Sequence, residues 1–304
     1  MSAETNKANF RAGFVALIGQ PNAGKSTLMN AILGDKVSIV SDKPQTTRGR
    51  VTGILNLDNA QIVFVDAPGV LKSTSGINKF LQAEAKDVID NADVVCVLLA
   101  ADSTEDHARD LIKMATDSKK PWVAIVTKSD LLAGTRTPKF FGYFLEERVP
   151  FVSISTLKRT DEARAEVLSR VVPLLPESAG PLYDEDLYTT QTMRQMAAEF
   201  IREACFENLH QEVPYGLAVR INEFKEDERV PRIRAELVLE KDNHKAIVIG
   251  TKGATIKKIG MEARKSIESV MGQQVFLELH VQVKENWSQN PRMMKELGYV
   301  LPQE

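Results

Sequence analysis

Gly19-Gln20-Pro21-Asn22-Ala23-Gly24-Lys25-Ser26 is the stretch on which the fold turns. It matches the pattern GxxxxGK[ST] in the context that pattern needs: the apolar run Phe14–Ile18 leads into it, and TLMNAIL, a helical pattern that Gly34 can terminate, follows it. The glycines allow the backbone to wrap around phosphate, so that its N–H groups and the start of the helix face negative charge. Lys25 can reach the terminal phosphates and Ser26 can ligate Mg²⁺. Asn22, after Pro21, reads equally well as a simple turn former. The segment from Gly19 to Thr27, with Gln20, Pro21 and Ala23 included, is therefore a candidate nucleotide cradle.

Outward from this loop, strand-like runs alternate with helical patterns as far as about Val172. Val51–Leu57, Gln61–Val65, Val94–Ala100, Trp122–Val126 and Phe151–Ile154 join Phe14–Ile18. Such alternation predicts an α/β domain, residues 1–172, with a mixed, mostly parallel sheet. Only Asp58-Asn59-Ala60 separates the second run from the third, so these two should pair antiparallel as a hairpin. Residues 173–190 have no helical or alternating period; the part from Pro173 to Tyr188 has three prolines, one glycine and four acids, and reads as a linker. Residues 191–304 then predict a smaller α+β domain. Its elements are an amphipathic helix at Gln191–Leu209, strands at Gly216–Phe224, Ile233–Glu240 and Val275–Lys284, and helices at His244–Ile249 and Ala254–Val270. A short last helix opens at Asn290-Pro291, a cap followed by a first-turn proline.

Composition agrees with two folded domains. The 304 residues are about twice the roughly 150 per domain of the length prior. With 43% hydrophobic and 26% charged residues, disorder and fibrous classes are excluded. The longest strongly apolar run, Val94 to Ala101, is far short of the ~20 residues a membrane span needs, and Met1–Arg11 lacks the pattern of a secretory leader, so a cytoplasmic protein is expected. Cys96 and Cys205 sit in apolar patterns without zinc spacing and read as reduced core residues. His107, His210, His244 and His280 form no motif. The net charge of −2 excludes a globally basic nucleic-acid binder but leaves room for a local patch.

A phosphate loop alone does not separate ATPase, kinase and GTPase. After the Gln61–Val65 run comes Asp66-Ala67-Pro68-Gly69, where Asp66 can hold Mg²⁺ through water and the Gly69 N–H can face the γ-phosphate. After Trp122–Val126 comes Thr127-Lys128-Ser129-Asp130, a variant of the guanine pattern NKxD. Asp130 can accept hydrogen bonds from guanine N1–H and N2–H₂, donors that adenine lacks, and the Lys128 stem can cover the base. Thr127 departs from the usual Asn and loses an amide that contacts both base and phosphate loop. Ser155-Thr156 follows the Phe151–Ile154 run, where a Ser-Ala pair normally lines the guanine pocket.

In order and spacing these elements resemble the translation-factor-like class of GTPases, and at GQPNAGKS, QTTR and DAPG the Era-like family of bacterial GTPases. IGTKGATIKKIGMEAR and VKENWSQNPRMMKELGY resemble that family's RNA-binding KH domain and tail, so the similarity covers nearly the whole chain. The resemblance implies a switch region between Asp35 and Arg50, in which Thr47, or else Thr46, completes the Mg²⁺ shell when γ-phosphate is present. Ras-type enzymes carry a water-orienting glutamine immediately after the glycine of DxxG; that position is Val70 here, so Lys25, Thr47 and Gly69 would act without it and intrinsic turnover should be slow. Asn22 matches the asparagine that in related GTPases helps bind K⁺.

Gly250-Thr251-Lys252-Gly253 is a GxxG loop, a pattern that 17 glycines make about once by chance. Its place between two helical patterns, after two strands and before a third, is the order of a type II KH domain, whose GxxG turn clamps RNA backbone. From Lys241 to Lys265 there are seven basic residues, among them Lys257, Lys258 and Arg264, against Asp242 and Glu262, a local charge of +5. The functional expectation is a GTP-hydrolysing switch that binds GTP and GDP, uses Mg²⁺ and K⁺, and controls RNA engagement. Similarity to the family further implies binding near the 3′ end of small-subunit ribosomal RNA, assistance to small-subunit maturation, a monomeric state and peripheral association with the inner face of the cell membrane. The rival expectation is an RNA-binding scaffold with little turnover, kept open by Val70 and Thr127. An ATP-driven RNA remodeller is disfavoured by Asp130.

Overall fold

The computed structural model describes residues 10–41, 43, 48–69, 76–132 and 137–300. They divide into two compact units: one holds the described residues within 1–38, 47–71 and 83–190, the other those within 39–46, 72–82 and 191–304.

The first unit is built on a six-stranded sheet of order β2-β3-β1-β4-β5-β6, made of β1 (Arg11–Gly19), β2 (Val51–Leu57), β3 (Ala60–Asp66), β4 (Val94–Ala100), β5 (Trp122–Thr127) and β6 (Phe151–Ser153). β2 and β3 form the antiparallel hairpin, with Leu57 opposite Ala60, and every other pairing is parallel. β1 begins at Arg11 rather than Phe14 because its backbone pairs with β3 from Arg11 opposite Ala60 onward, whatever the polarity of the side chains. Helices α1 (Lys25–Leu33), α3 (Glu105–Asp117), α4 (Phe141–Glu146) and α5 (Thr160–Val171) belong to this unit, as does α2 (Gly76–Asn91) from Ala83 onward.

The two-residue period of β1 sorts its side chains between two cores. Val15 and Leu17 face a cluster with Leu28 and Ile32 of α1 and Val167 of α5; Ala16 and Ile18 face one with Val88 of α2 and Leu111 and Ile112 of α3. Helices cover both faces, so all seven residues of β4 are buried and the strand reads as an unbroken apolar run. β1 has β3 on one side and β4 on the other, and the crevice where strand order reverses is where such sheets bind ligands. Gly19–Ser26 leaves the sheet at the C-terminal end of β1.

Residues 173–190 contain no helix or strand beyond the single turn Val172–Leu174, yet they are strapped onto the sheet. The fully buried Gln61 does much of this: its Oε1 accepts from the Leu182 and Tyr183 amides at 2.6 and 2.9 Å, and its Nε2 donates to Tyr183 O at 2.8 Å. Ile54 N donates to Tyr188 O at 2.9 Å and Thr189 Oγ1 to Thr52 O at 2.6 Å.

The second unit runs α6 (Met193–Asn208), β7 (Leu217–Lys225), β8 (Arg232–Leu239), α7 (Asn243–Ile249), α8 (Ala254–Met271), β9 (Phe276–Val283) and α9 (Pro291–Glu296). The three strands form a sheet of order β7-β8-β9, antiparallel then parallel. Thr192 and Gln195 make the capping box that starts α6. Asn290 Oδ1 accepts from the Arg292 and Met293 amides at 3.0 and 3.2 Å, the cap expected for α9. Met196, Phe200 and Ile201 of α6 and Ile259, Ala263 and Ile267 of α8 pack on Leu217, Ile233 and Leu237. Other side chains of the sheet carry ion pairs, such as Arg234 Nε to Glu278 at 2.9 Å.

Cys96 and Cys205 are both fully buried and free, and apolar burial pushes their thiols up, that of Cys96 to about 12. Among the described residues no helix is long and apolar enough to cross a membrane.

Candidate functional site

The phosphate loop takes its shape from positions that only certain residues tolerate. Gly24 caps α1 at φ 85°, ψ 20°, in the left-handed region, and Asn22 has φ 63°, which asparagine tolerates and which agrees with its reading as a turn former. At Gly19 a Cβ would lie 2.6 Å from Leu98 O, so the loop leaves β1 against the backbone of β4. Lys25 is buried within the loop, its Nζ donating to Gln20 O at 3.1 Å and Gly19 O at 3.4 Å. Burial lowers its pKa, and the Asp66 charge opposes that fall. A buried ammonium held by loop carbonyls is an arrangement whose charge a polyphosphate would neutralise.

The Asp66 carboxylate, at the end of β3, reaches the first turn of α1. Ser26 Oγ donates to Asp66 Oδ2 at 2.6 Å, and Ser38 Oγ donates to the same oxygen at 3.2 Å. Ser38 is a residue the sequence reading missed. It is buried because Asn30 of α1 holds its backbone: Asn30 Oδ1 accepts from the Val37 and Ser38 amides at 3.0 and 2.9 Å, and Nδ2 donates to Ser38 O at 2.7 Å. A serine hydroxyl against a fully buried carboxylate is a hard-oxygen donor pair that suits Mg²⁺. Ala67 and Pro68 are buried between Asp66 and Gly69. At Gly69 a Cβ would lie 2.7 Å from Pro21 N and 2.9 Å from Pro21 Cα, so this glycine lies directly on the phosphate loop and nothing larger fits. Thr46, Thr47 and Val70 lie outside the described residues.

At the ends of β5 and β6 two further segments converge. Ser155 Oγ donates to Asp130 Oδ1 at 2.7 Å, and Ser129 N donates to Ile154 O at 3.1 Å. The Ser155 bond is the main cause that lowers the Asp130 pKa, helped by the Lys158 and Lys128 charges, so Asp130 is held as a carboxylate, an acceptor only. Lys128 sits at φ 57°, where the chain turns out of β5, and Thr156 is half-buried beside Ser155. Thr127 is buried, and its hydroxyl donates to Ala23 O of the phosphate loop at 2.7 Å. The threonine thus keeps the loop contact that the missing asparagine amide would have made.

In the second unit, Gly250 has φ 73°, ψ 174° and Gly253 φ 79°, ψ 14°, with Lys252 between them also at positive φ. A Cβ on Gly250 would overlap Thr255, with Thr255 N at 2.8 Å, whereas one on Gly253 would meet nothing within 4 Å. Thr251, Lys252, Lys257 and Lys258 are exposed around this turn. Lys258 pairs with Glu262 at 3.7 Å and Arg264 with Glu268 at 3.9 Å. Arg264 is eleven residues beyond Gly253 on α8, about 16 Å along the helix, so the loop lysines are close to the turn and Arg264 is not.

Comparison with known proteins assigns both units. A family model described as "50S ribosome-binding GTPase" matches residues 14–128, and a KH-domain model matches residues 212–288. GTPase Era of Geotalea daltonii is 42% identical over 297 residues, covering 95% of this chain and 98% of the relative. GTPase Era of Geobacter metallireducens is 41% identical over 296 residues, with the same coverage. Among solved structures, an Aquifex aeolicus Era variant bound to GDP·AlF4⁻ superposes with a TM-score of 0.89 at 33% identity, covering 96% of this chain and 100% of that one. Era in complex with MgGDPNP and nucleotides 1506–1542 of 16S ribosomal RNA gives 0.88 at 34% identity, with the same coverage.

Proposed function

The chain belongs to the Era family of GTPases, a P-loop GTPase domain followed by a KH domain, and on that premise we propose that it is a GTP-driven switch acting on small-subunit ribosomal RNA. The observation that carries the nucleotide half is the joint presence, in one unit, of a buried Lys25, the Ser26–Asp66 pair and the Asp130–Ser155 pair. In this reading Lys25 and the loop N–H groups bind the β- and γ-phosphates, Ser26 ligates Mg²⁺ and Asp66 holds it through water. Mg²⁺ when bound neutralises charge on the phosphates. Asp130 takes guanine N1–H and N2–H₂ while Ser155 fixes its orientation. Gly69, packed on Pro21, presents its N–H beside the γ-phosphate.

The rival, a scaffold with little intrinsic turnover, is left resting on Val70 alone: Thr127 retains the loop contact, and the family hydrolyses GTP. The RNA half rests on the GxxG turn and its lysines. The RNA in the Era structure that covers 96% of this chain is 16S, whereas the 50S wording belongs to a model matching the GTPase unit alone, so the small subunit is the better supported target. A role in maturing that subunit, a cytoplasmic monomer and peripheral contact with the inner membrane face complete the proposal; the last follows from family resemblance only.

Phosphate release by the purified protein tests this reading, with and without a 16S 3′-end fragment and in potassium versus sodium. Slow basal release that the fragment accelerates is the expected result. Release indifferent to the fragment, together with equal affinity for a scrambled RNA, would remove the ribosomal target. Equal rates in both salts would remove K⁺ and the role of Asn22 in binding it.

A further inference from the structure

Thr127 is the one place where the guanine motif departs from the usual residue, and its side chain is committed elsewhere. A hydroxyl has a single proton. Here it goes to Ala23 O at 2.7 Å, while the next acceptor, Leu99 O, is at 3.4 Å. A second observation gives the same direction: the three atoms nearest to a Cβ on Gly24 would be Oγ1, Cβ and Cγ2 of Thr127, at 3.7 to 3.9 Å. The whole side chain therefore rests on Ala23-Gly24 of the phosphate loop, and it is buried there.

The consequence concerns the base. A nucleotide with its phosphates at Lys25 and its Watson–Crick edge at Asp130 lays the edge between them, which carries N7, alongside the end of β5, three residues before Asp130. Guanine N7 is an acceptor without a proton. The oxygen that Thr127 has left over is also an acceptor, so no hydrogen bond can form between the two. Turning the proton toward N7 would abandon the bond to the buried Ala23 carbonyl, a loss that offsets any gain. Asparagine differs because its NH₂ carries two protons and serves two acceptors at once.

We propose that Thr127 is a positioning residue that anchors the phosphate loop and leaves guanine N7 unread, so that selectivity for guanine in this enzyme rests on Asp130 and the Ser155-Thr156 segment. The inference depends on Asp130 being the base acceptor.

Displacement of a fluorescent GDP by GTP, by 7-deaza-GTP, in which N7 is replaced by C–H, and by ATP separates the two ideas. The wild type should bind GTP and 7-deaza-GTP within about twofold of each other and reject ATP. Thr127→Asn should gain a preference for GTP over 7-deaza-GTP of about three- to tenfold, the range of one neutral hydrogen bond. Thr127→Val, which removes the loop anchor, should weaken both guanine nucleotides by the same factor, and Thr127→Ser should restore them. A wild-type preference for GTP over 7-deaza-GTP above about fivefold, or a Thr127→Val loss falling on GTP alone, would overturn the proposal. Equal competition by ATP would instead overturn the Asp130 assignment on which it stands.

Discussion

The two glycines of the GxxG turn should respond to substitution in opposite ways, and the difference can be worked from their geometry. At φ 73°, ψ 174°, Gly250 occupies a region that is essentially confined to glycine, where another residue costs about 1–3 kcal/mol. Gly250→Ala must in addition place its Cβ against Thr255, 2.8 Å from the amide nitrogen. A loss of about 3 kcal/mol follows, which for a domain of this size is a fall in melting temperature of roughly 10 °C or more. Gly253, at φ 79°, ψ 14°, lies in the ordinary left-handed region, where a non-glycine residue costs about 1–2 kcal/mol and aspartate is among the better tolerated. A Cβ there meets open space. Gly253→Asp is therefore a nearly pure electrostatic probe: it sets a carboxylate at the start of α8, where phosphate is to be clamped. At about 4 Å two like charges near a surface repel by roughly 1–4 kcal/mol, so RNA affinity should fall about tenfold or more while the unit stays folded. Thermal denaturation with GDP present, paired with titration of a single-stranded 16S 3′-end RNA, gives both readouts. Unchanged RNA affinity in Gly253→Asp would refute the clamp; a Gly253→Asp melting loss as large as that of Gly250→Ala would refute the geometric reasoning.

Asp130→Asn should weaken GTP and favour xanthosine triphosphate, whose ring presents the complementary groups, as nucleotide competition would show. Fold and Ser155 both favour the charged form of Asp130, so its contribution is present above the ordinary carboxylate value, about 3.9, and is lost only as pH falls through the depressed folded value. The Asp130 share of GTP affinity, read as the ratio of wild type to Asp130→Asn so that titration of the terminal phosphate cancels, should accordingly stay flat between about pH 8 and pH 5, and in Ser155→Ala its acid loss should begin at higher pH; identical acid limbs would show that the hydroxyl does not hold the carboxylate. Lys25→Ala should abolish nucleotide binding, whereas Val70→Ala should change single-turnover hydrolysis only a few-fold; a loss of many orders at Val70 would mean the catalytic groups are misplaced. Lys257→Ala with Lys258→Ala should weaken RNAs of any sequence and flatten the salt dependence of binding, with the Lys257 loss the larger because Lys258 is already paired with Glu262.

The six-stranded sheet was legible because burial on two faces writes itself into sequence as short apolar runs, and the covered β4 is the clearest instance, whereas the three-stranded sheet, with one face polar, was legible from alternation. The hairpin was legible from Asp58-Asn59-Ala60 alone. Residues 173–190 show the limit of such reading. Their composition does announce the lack of helix and strand, but nothing local announces that Gln61, more than 100 positions earlier, supplies the hydrogen bonds that strap them to the sheet. The partner of an irregular segment is a tertiary fact, and a buried glutamine in a strand looks like any polar interruption until its neighbours are known.

The same distinction runs through the site. Asp66, Ser26, Asp130 and Ser155 stand at strand ends or a helix start in a set order, so spacing alone brings them forward. Ser38 carries no such mark: it lies between Val37 and Ile39 in a stretch without a motif, and only the amide of Asn30, holding the backbone on both sides, turns its hydroxyl toward Asp66. Arg264 was open to a better reading, since Glu268 stands one helical turn further on and an i,i+4 pair is visible in any helix. Thr127 is the most instructive case. Judged as a missing asparagine, it counts against the guanine reading, because two contacts are lost together. In the fold the two contacts come apart: a hydroxyl is long enough to reach Ala23 O and has no second proton for the base. The substitution therefore spares the half of the asparagine's work that holds the phosphate loop in place, and the half it gives up, at N7, is one that Asp130 does not need in order to exclude adenine.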